Sequence, residues 1–239
     1  MSRLGVVARA VSDDEILDPL VAGAPQAPLQ VRSRRQEPSD GRRARGMRSR
    51  GAVLERSVQM ASRDGLEGLT IGALAADLAL HKSSVHALFG SKLELQLATV
   101  DAARAILVEH VIAPALASAE GLPRLRAIGE AWCDYLLAGV FAGGCFLCAA
   151  SAEMDGRPGP LRDAVTAVMR EWIAVLGANI EAAVAADELA GDVDSKALAF
   201  RLNALGMAAN WQLQLLSDAS GIEQARAAWR GELTRAAHT

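Results

Sequence analysis

No stretch of this chain alternates apolar and polar residues for long enough to build a half-buried strand. Instead, apolar residues recur at helical spacing, and Gly, Pro and Asp clusters separate the runs. Val53, Leu54, Val58, Met60 and Ala61 form the first such series, which Asp64-Gly65 ends. Thr70 has the chemistry of an N-cap for a second helix with Ile71, Leu74, Ala75 and Leu78 on its inner face. A third helix is expected from Lys82 to Phe89, closed by Gly90-Ser91, and a long fourth runs on to Pro114. Further helices are expected over 122–141, 145–154, 159–187, 194–217 and 222–236. With 51% hydrophobic and only 4% aromatic residues, the chain has a core-forming composition that favours helix over sheet. The expected fold is all-α, with three compact N-terminal helices and a larger helical body.

Charge is uneven. The formal net charge is −3, yet residues 31–50 carry eight arginines (32, 34, 35, 42, 43, 45, 48 and 50) against Glu37 and Asp40. A basic segment on a mildly acidic body suggests an anionic partner met through one end. Residues 1–46 show no sustained periodicity and read either as a disordered arm or as sequence upstream of a start at Met47. The domains expected beyond them are 47–95 and 96–239. Cys133, Cys145 and Cys148, with no secretory signal in view, fit a reducing cytoplasm. Tyr135–Ala152 is uncharged over 18 residues, the lower limit for a membrane span. Gly143-Gly144 splits it and no basic cluster flanks it, so a buried helix–turn–helix pair is expected there and no membrane partner.

Two short helices joined by a tight turn, the second polar in front and apolar behind, describe a helix-turn-helix. Val85 and Phe89, four apart, would anchor the second helix. Lys82, Ser83, Ser84 and His86 would stay free near its N-terminal end, where the helix dipole favours phosphate. An ordinary polar surface helix would show much the same pattern.

The order of residues in RGAVLERSVQMASRDGLEGLTIGALAADLALHKSSVHALFGSKLEL resembles the DNA-binding domain of the TetR family of transcriptional regulators. The likeness runs through Gly65, Thr70-Ile71, Leu74-Ala75, Phe89, Ser91-Lys92 and Leu95. The segment GGCFLCAASAEMDGRPGPLRDAV is similar, more loosely, to effector-binding domains of one branch of that family. The resemblance implies a homodimeric repressor that sets its recognition helices in successive major grooves of a palindromic operator. A small molecule in the C-terminal domain would release it. It also implies that Lys82, Ser83 and Ser84 face DNA, that Thr70 and Lys92 touch phosphates, and that Arg48 and Arg50 lie in the minor groove or along the backbone. The chain departs from the family's pattern where Ala79 replaces a turn glycine and His81 a serine cap. His86 replaces an aromatic phosphate contact, Leu88 a histidine and Leu93 a glutamate. His86 reads either as a phosphate contact or as a merely exposed histidine.

Other chemistries find little footing. GxSxG, P-loop, HExxH and GxGxxG motifs are absent, so no enzyme and no cofactor are expected. Cys145-x-x-Cys148 lacks a second ligand pair, which sets metal aside and leaves small buried hydrophobes or a thiol sensor. In the body, Trp132, Tyr135, Leu136, Phe141, Phe146, Met154, Met169, Trp172, Met207 and Trp211 read as plain core or as the lining of an effector cavity. The ligand expected is small and apolar or aromatic. Segments 194–217 and 222–236 carry Phe200, Leu202, Leu205, Met207, Trp211, Leu213, Leu215, Leu216, Ile222, Trp229 and Leu233, more than one stripe needs. Dimerisation through 194–236 would cover the surplus. The competing reading is a helical ligand-binding or interaction protein that has lost specific DNA binding.

Overall fold

The computed structural model describes residues 39–237, with side chains described from Arg50 onward. The expectations for residues 1–38 and for the Arg48 side chain lie outside the described residues. Within them the chain is helical, with no strand. Helix α1 spans Ser39–Asp64, α2 Ile71–Asp77, α3 Lys82–Phe89 and α4 Lys92–Leu107. The chain then widens into a π turn, Val108–Ile112, and ends this rod with one turn at Ala113–Ala115. Pro114 lacks the N–H that would bond the His110 carbonyl and its ring crowds that oxygen, which accounts for a wide turn there. Beyond it lie α5 (Leu122–Leu137), α6 (Phe146–Met154), α7 (Pro160–Ala185), α8 (Ser195–Leu216) and α9 (Ser220–Ala237).

Two boundaries differ from the sequence expectation. The first helix begins at Ser39, directly after Pro38, because no proline interrupts the arginine- and alanine-containing run that follows. Helix α5 stops at Leu137, four residues early, because Gly139 turns left-handed at φ 59° and its N–H closes onto Leu136 O. That stop, with α6 starting at Phe146, divides the uncharged stretch at 135–152. Among the described residues no helix is long and apolar enough to cross a membrane.

Helix α8 packs on α9 and α7, α9 on α5, and α1 on α4. Three indoles knit the body together. Trp229 lies over Gly129 of α5, where a Cβ would collide with its ring, and donates Nε1 to Leu125 O at 3.0 Å. Trp132 stands edge-on to both Trp229 and Trp172, at centroid distances of 6.1 and 4.9 Å. At the other end, Ser57 Oγ and Thr99 Oγ1 share a buried hydrogen bond of 2.9 Å, and Gln96 Nε2 donates to Leu66 O, so polar contacts fix how α1 sits on α4.

Candidate DNA interface and ligand cleft

Thr70 caps α2, its Oγ1 accepting from Ala73 N at 3.0 Å, while Ile71, Leu74 and Ala75 face the core. The helix ends in a Schellman arrangement: Leu80 N donates to Ala75 O and Ala79 N to Ala76 O. That geometry puts Ala79 at φ 52°, the left-handed position that a glycine takes without a Cβ penalty. Next, His81 occupies the N-cap of α3 but makes no side-chain capping bond. Val85 and Phe89 are buried and hold α3 down, leaving Lys82, Ser83, Ser84 and His86 exposed together. The exposed Arg50 lies over the Phe89 ring, its Cζ 5.1 Å from the centroid. Lys92 is engaged differently. Its Nζ donates to Glu67 O at 2.9 Å and to Glu67 Oε2 at 3.0 Å. Thr70, Lys82, Ser83, Ser84 and His86 thus belong to one two-helix unit, with Arg50 braced against it.

The ligand residues expected from sequence divide into four groups. Trp132, Met169, Trp172 and Met207 line a small, half-open chamber of about 10 Å³, together with Leu107, Cys145, Leu147, Cys148 and Asn203. Met154 joins Met169 and Met207 in an open cleft of about 510 Å³ between α6, α7 and α8. Tyr135, Phe141 and Phe146 form a buried aromatic chain, with centroids 6.1 and 5.9 Å apart, and Leu136 is buried nearby in sequence; these four line neither space. Trp211 is 56% exposed on α8 and also lines neither. Sequence reading missed the outer wall of the cleft. Arg162, Thr166 and Arg170 follow one ridge of α7 beside the apolar ridge Val165, Met169, Ile173, with Ser151 and Asp155 opposite on and beyond α6. Both ridges have i, i+4, i+8 spacing, so the signal was present in the sequence.

Cys145 is the N-cap residue of α6, and its backbone N–H donates to Asn210 Oδ1 at 2.7 Å. The hydrogen bond with Cys148 brings the Cys145 thiol down to about 7 against the opposing effect of burial, and Tyr135 adds a second hydrogen bond. The same bond pushes Cys148 up, and burial does so for Tyr135. All three cysteines are free and buried, and no group of three or more His, Cys, Asp or Glu among the described residues is placed to hold a metal ion.

Three contacts tie the cleft helices to the N-terminal unit. The Glu153 carboxylate accepts from Leu66 N (2.7 Å) and Glu67 N (2.9 Å), just after α1. Gln59 bridges the loop before α6, donating to Val140 O and accepting from Ala142 N, each at 2.8 Å. Gly143 N donates to Ser62 Oγ at 3.1 Å, and a Cβ on Gly143 would overlap the Ser62 carbonyl. Glu153 adjoins Met154, so one helix reaches both the cleft and the N-terminal unit.

Helix α8 exposes Phe200 (72%), Trp211 (56%), Leu215 (66%) and Leu216 (55%), with Ala204 and Ala208 exposed between them. On α9, by contrast, Ile222, Trp229 and Leu233 are buried within the chain, as is Leu202 on α8. The apolar surplus read over 194–236 therefore sits on α8, because Trp229 and its neighbours are used up against α5.

Residues 121–229 match the family described as tetracyclin repressor-like, C-terminal domain. A TetR transcriptional regulator from Chloroflexus aurantiacus J-10-FL superposes with a TM-score of 0.74 at 24% identity, over 80% of this chain and 96% of that one. A TetR-family regulator from Cytophaga hutchinsonii gives 0.73 at 19% identity, over 82% and 98%. AibR, solved in complex with isovaleryl coenzyme A and operator DNA, gives 0.61 at 18%, over 76% and 96%. A comparison with curated protein sequences finds no significant match. Residues 121–229 thus form a tetracyclin repressor-like C-terminal domain, and along most of its length the chain has the fold of TetR-family regulators.

Proposed function

We propose that the protein is a cytoplasmic, ligand-responsive repressor that binds a palindromic operator as a homodimer and is released by a small apolar or aromatic effector. The observation that carries this reading is α3: Lys82, Ser83, Ser84 and His86 stand exposed on a helix whose Val85 and Phe89 are buried. A helix held by its back and free at its N-terminal front suits a major groove. Thr70, Lys92, Arg50 and Arg48 would supply phosphate or minor-groove contacts, in a DNA-binding domain of residues 47–95. The body, 96–239, would take the effector through the cleft and the chamber behind it. AibR, of the same fold, has been solved with both an acyl coenzyme A and operator DNA, which supports a two-ligand role here. The exposed Phe200–Leu215 face of α8 supports a second copy of the chain as its cover.

Fluorescence anisotropy with DNA from upstream of the protein's own gene tests the reading. Specific binding is expected to weaken steeply with salt, since each phosphate contact releases counterions. Lys82→Ala and Ser84→Ala are expected to lower affinity while leaving the fold and oligomeric state unchanged. Absent or salt-insensitive binding would remove the repressor reading for that operator. The second reading, a helical ligand-binding protein without specific DNA binding, draws on Lys92 being held by Glu67 and on the uncapped His81. Light scattering tests the assembly: a dimer is expected, and Phe200→Glu with Trp211→Glu should give monomers.

A further inference from the structure

Trp132 Nε1 is the one buried side-chain nitrogen or oxygen among the described residues that has no hydrogen-bond partner. A buried donor left unpaired is costly, and in folded proteins the great majority find an acceptor. The two indoles packed against it both do. Trp229 Nε1 donates to Leu125 O and Trp172 Nε1 to Asn203 Oδ1, each at 3.0 Å. The Trp132 ring is pinned between those neighbours and rests on Gly206, where even a Cβ would overlap it, so it has no room to swing toward an internal acceptor. The π faces of its edge-on neighbours satisfy an N–H weakly at most.

Trp132 lines the half-open chamber, which at about 10 Å³ is barely the size of one water. Met169 and Met207 line both this chamber and the 510 Å³ cleft outside it, so they form the partition between the two. Thioether side chains are unbranched and rotate readily, which makes this a wall that a ligand can displace. Met207 has a second tie: Asn203 Nδ2 donates to its sulfur at 3.4 Å. When Met207 moves aside, that amide N–H is released inside the same chamber.

Resting on the effector reading above, we infer that the effector carries a hydrogen-bond-accepting oxygen at the end that passes Met169 and Met207. Trp132 Nε1 donates to that oxygen, and Asn203 Nδ2 reaches its second lone pair. The ligand class is an apolar carbonyl compound, and Trp132 is the residue that selects it over a hydrocarbon of the same shape. An acceptor-free ligand would leave the indole N–H unpaired and bury it further, so the discrimination comes from the penalty on the wrong ligand.

The test uses the full-length protein and two probes of nearly equal shape, acetophenone and α-methylstyrene, which differ by a carbonyl oxygen against a methylene. Acetophenone is expected to shift the Trp132 indole N–H resonance downfield, and α-methylstyrene to leave it in place. In Trp132→Phe the ratio of acetophenone to α-methylstyrene affinity is expected to fall about tenfold. The cavity left by the smaller ring affects both probes alike and cancels in that ratio. An unshifted resonance, an unchanged ratio, or no binding of either probe would overturn the inference. If Trp132→Phe does not fold, the wild-type resonance decides alone. Should α-methylstyrene bind and alter operator affinity without any carbonyl preference, the effector site stands and only the acceptor is lost. Failure to bind DNA at all tells against the repressor reading and leaves this one untouched.

Discussion

Lys92 Nζ is held twice by Glu67, through the backbone oxygen at 2.9 Å and the carboxylate at 3.0 Å. The cation expected to touch phosphate at the start of α4 is therefore neutralised by a residue of the same N-terminal unit. The pair is about half exposed, so it adds little stability, about 0–1 kcal/mol. Glu67→Gln is expected to leave the melting temperature nearly unchanged while tightening operator binding about threefold and steepening its salt dependence. Anisotropy across a salt series reads both effects.

Two residues of the α2–α3 turn are locally unfavourable. Ala79 sits left-handed at φ 52°, and His81 holds the N-cap of α3 without capping it. Ala79→Gly and His81→Ser are each expected to stabilise the protein by about 1 kcal/mol. Urea denaturation of each single variant checks the size.

Glu153 receives two backbone N–H groups beyond α1 from the helix whose last residue, Met154, lines the cleft. Glu153→Ala leaves those donors without their charged acceptor and is expected to cost about 1–2 kcal/mol. Its more telling effect is on coupling. Operator affinity without ligand should persist, while the change on adding an effector shrinks, as a comparison of titrations with and without ligand will show.

Gly143 lies against the backbone of α1 so closely that a Cβ would overlap the Ser62 carbonyl. Since backbone cannot move aside as a side-chain tip can, Gly143→Ala is expected to destabilise by about 2 kcal/mol and to loosen the N-terminal unit from the body. Limited proteolysis near 139–145 should become faster than in the parent protein.

Burial alone would raise the Glu130 carboxyl, but hydrogen bonds from Arg230 and Arg226 outweigh it and hold the group below its ordinary value. The folded value is thus below the unfolded one. The cluster stabilises the protein above the ordinary carboxyl range and loses that contribution as pH falls through the folded value. Thermal melts from roughly pH 6 down to pH 3 should decline more gently in Glu130→Gln than in the parent. The difference is expected to be modest, because Glu130 is only partly buried.

Much of this architecture was legible in residue order. Thr70, Val85, Phe89 and Gly90 mark where α2 and α3 begin, anchor and end, because capping and helical spacing are local properties that survive in a one-dimensional string. The arginine–threonine ridge of α7 had equally regular spacing, but spacing does not say whether a ridge meets solvent, a partner or a cleft.

What the sequence by itself determined was the helical class and the two short helices α2 and α3 with their turn, since each rests on contacts within a few turns. Only the tertiary structure decided that Tyr135, Leu136, Phe141 and Phe146 line neither the chamber nor the cleft while Trp132 and Trp172 line the chamber. It also decided that the exposed apolar face belongs to α8 and that Trp229 is spent on Gly129. The physical reason is shared. An indole reads the same in sequence whether it fills a core, faces a partner or waits beside a cavity. Its role follows from which other helices arrive beside it, and here that leaves Trp132 with a donor its neighbours do not satisfy.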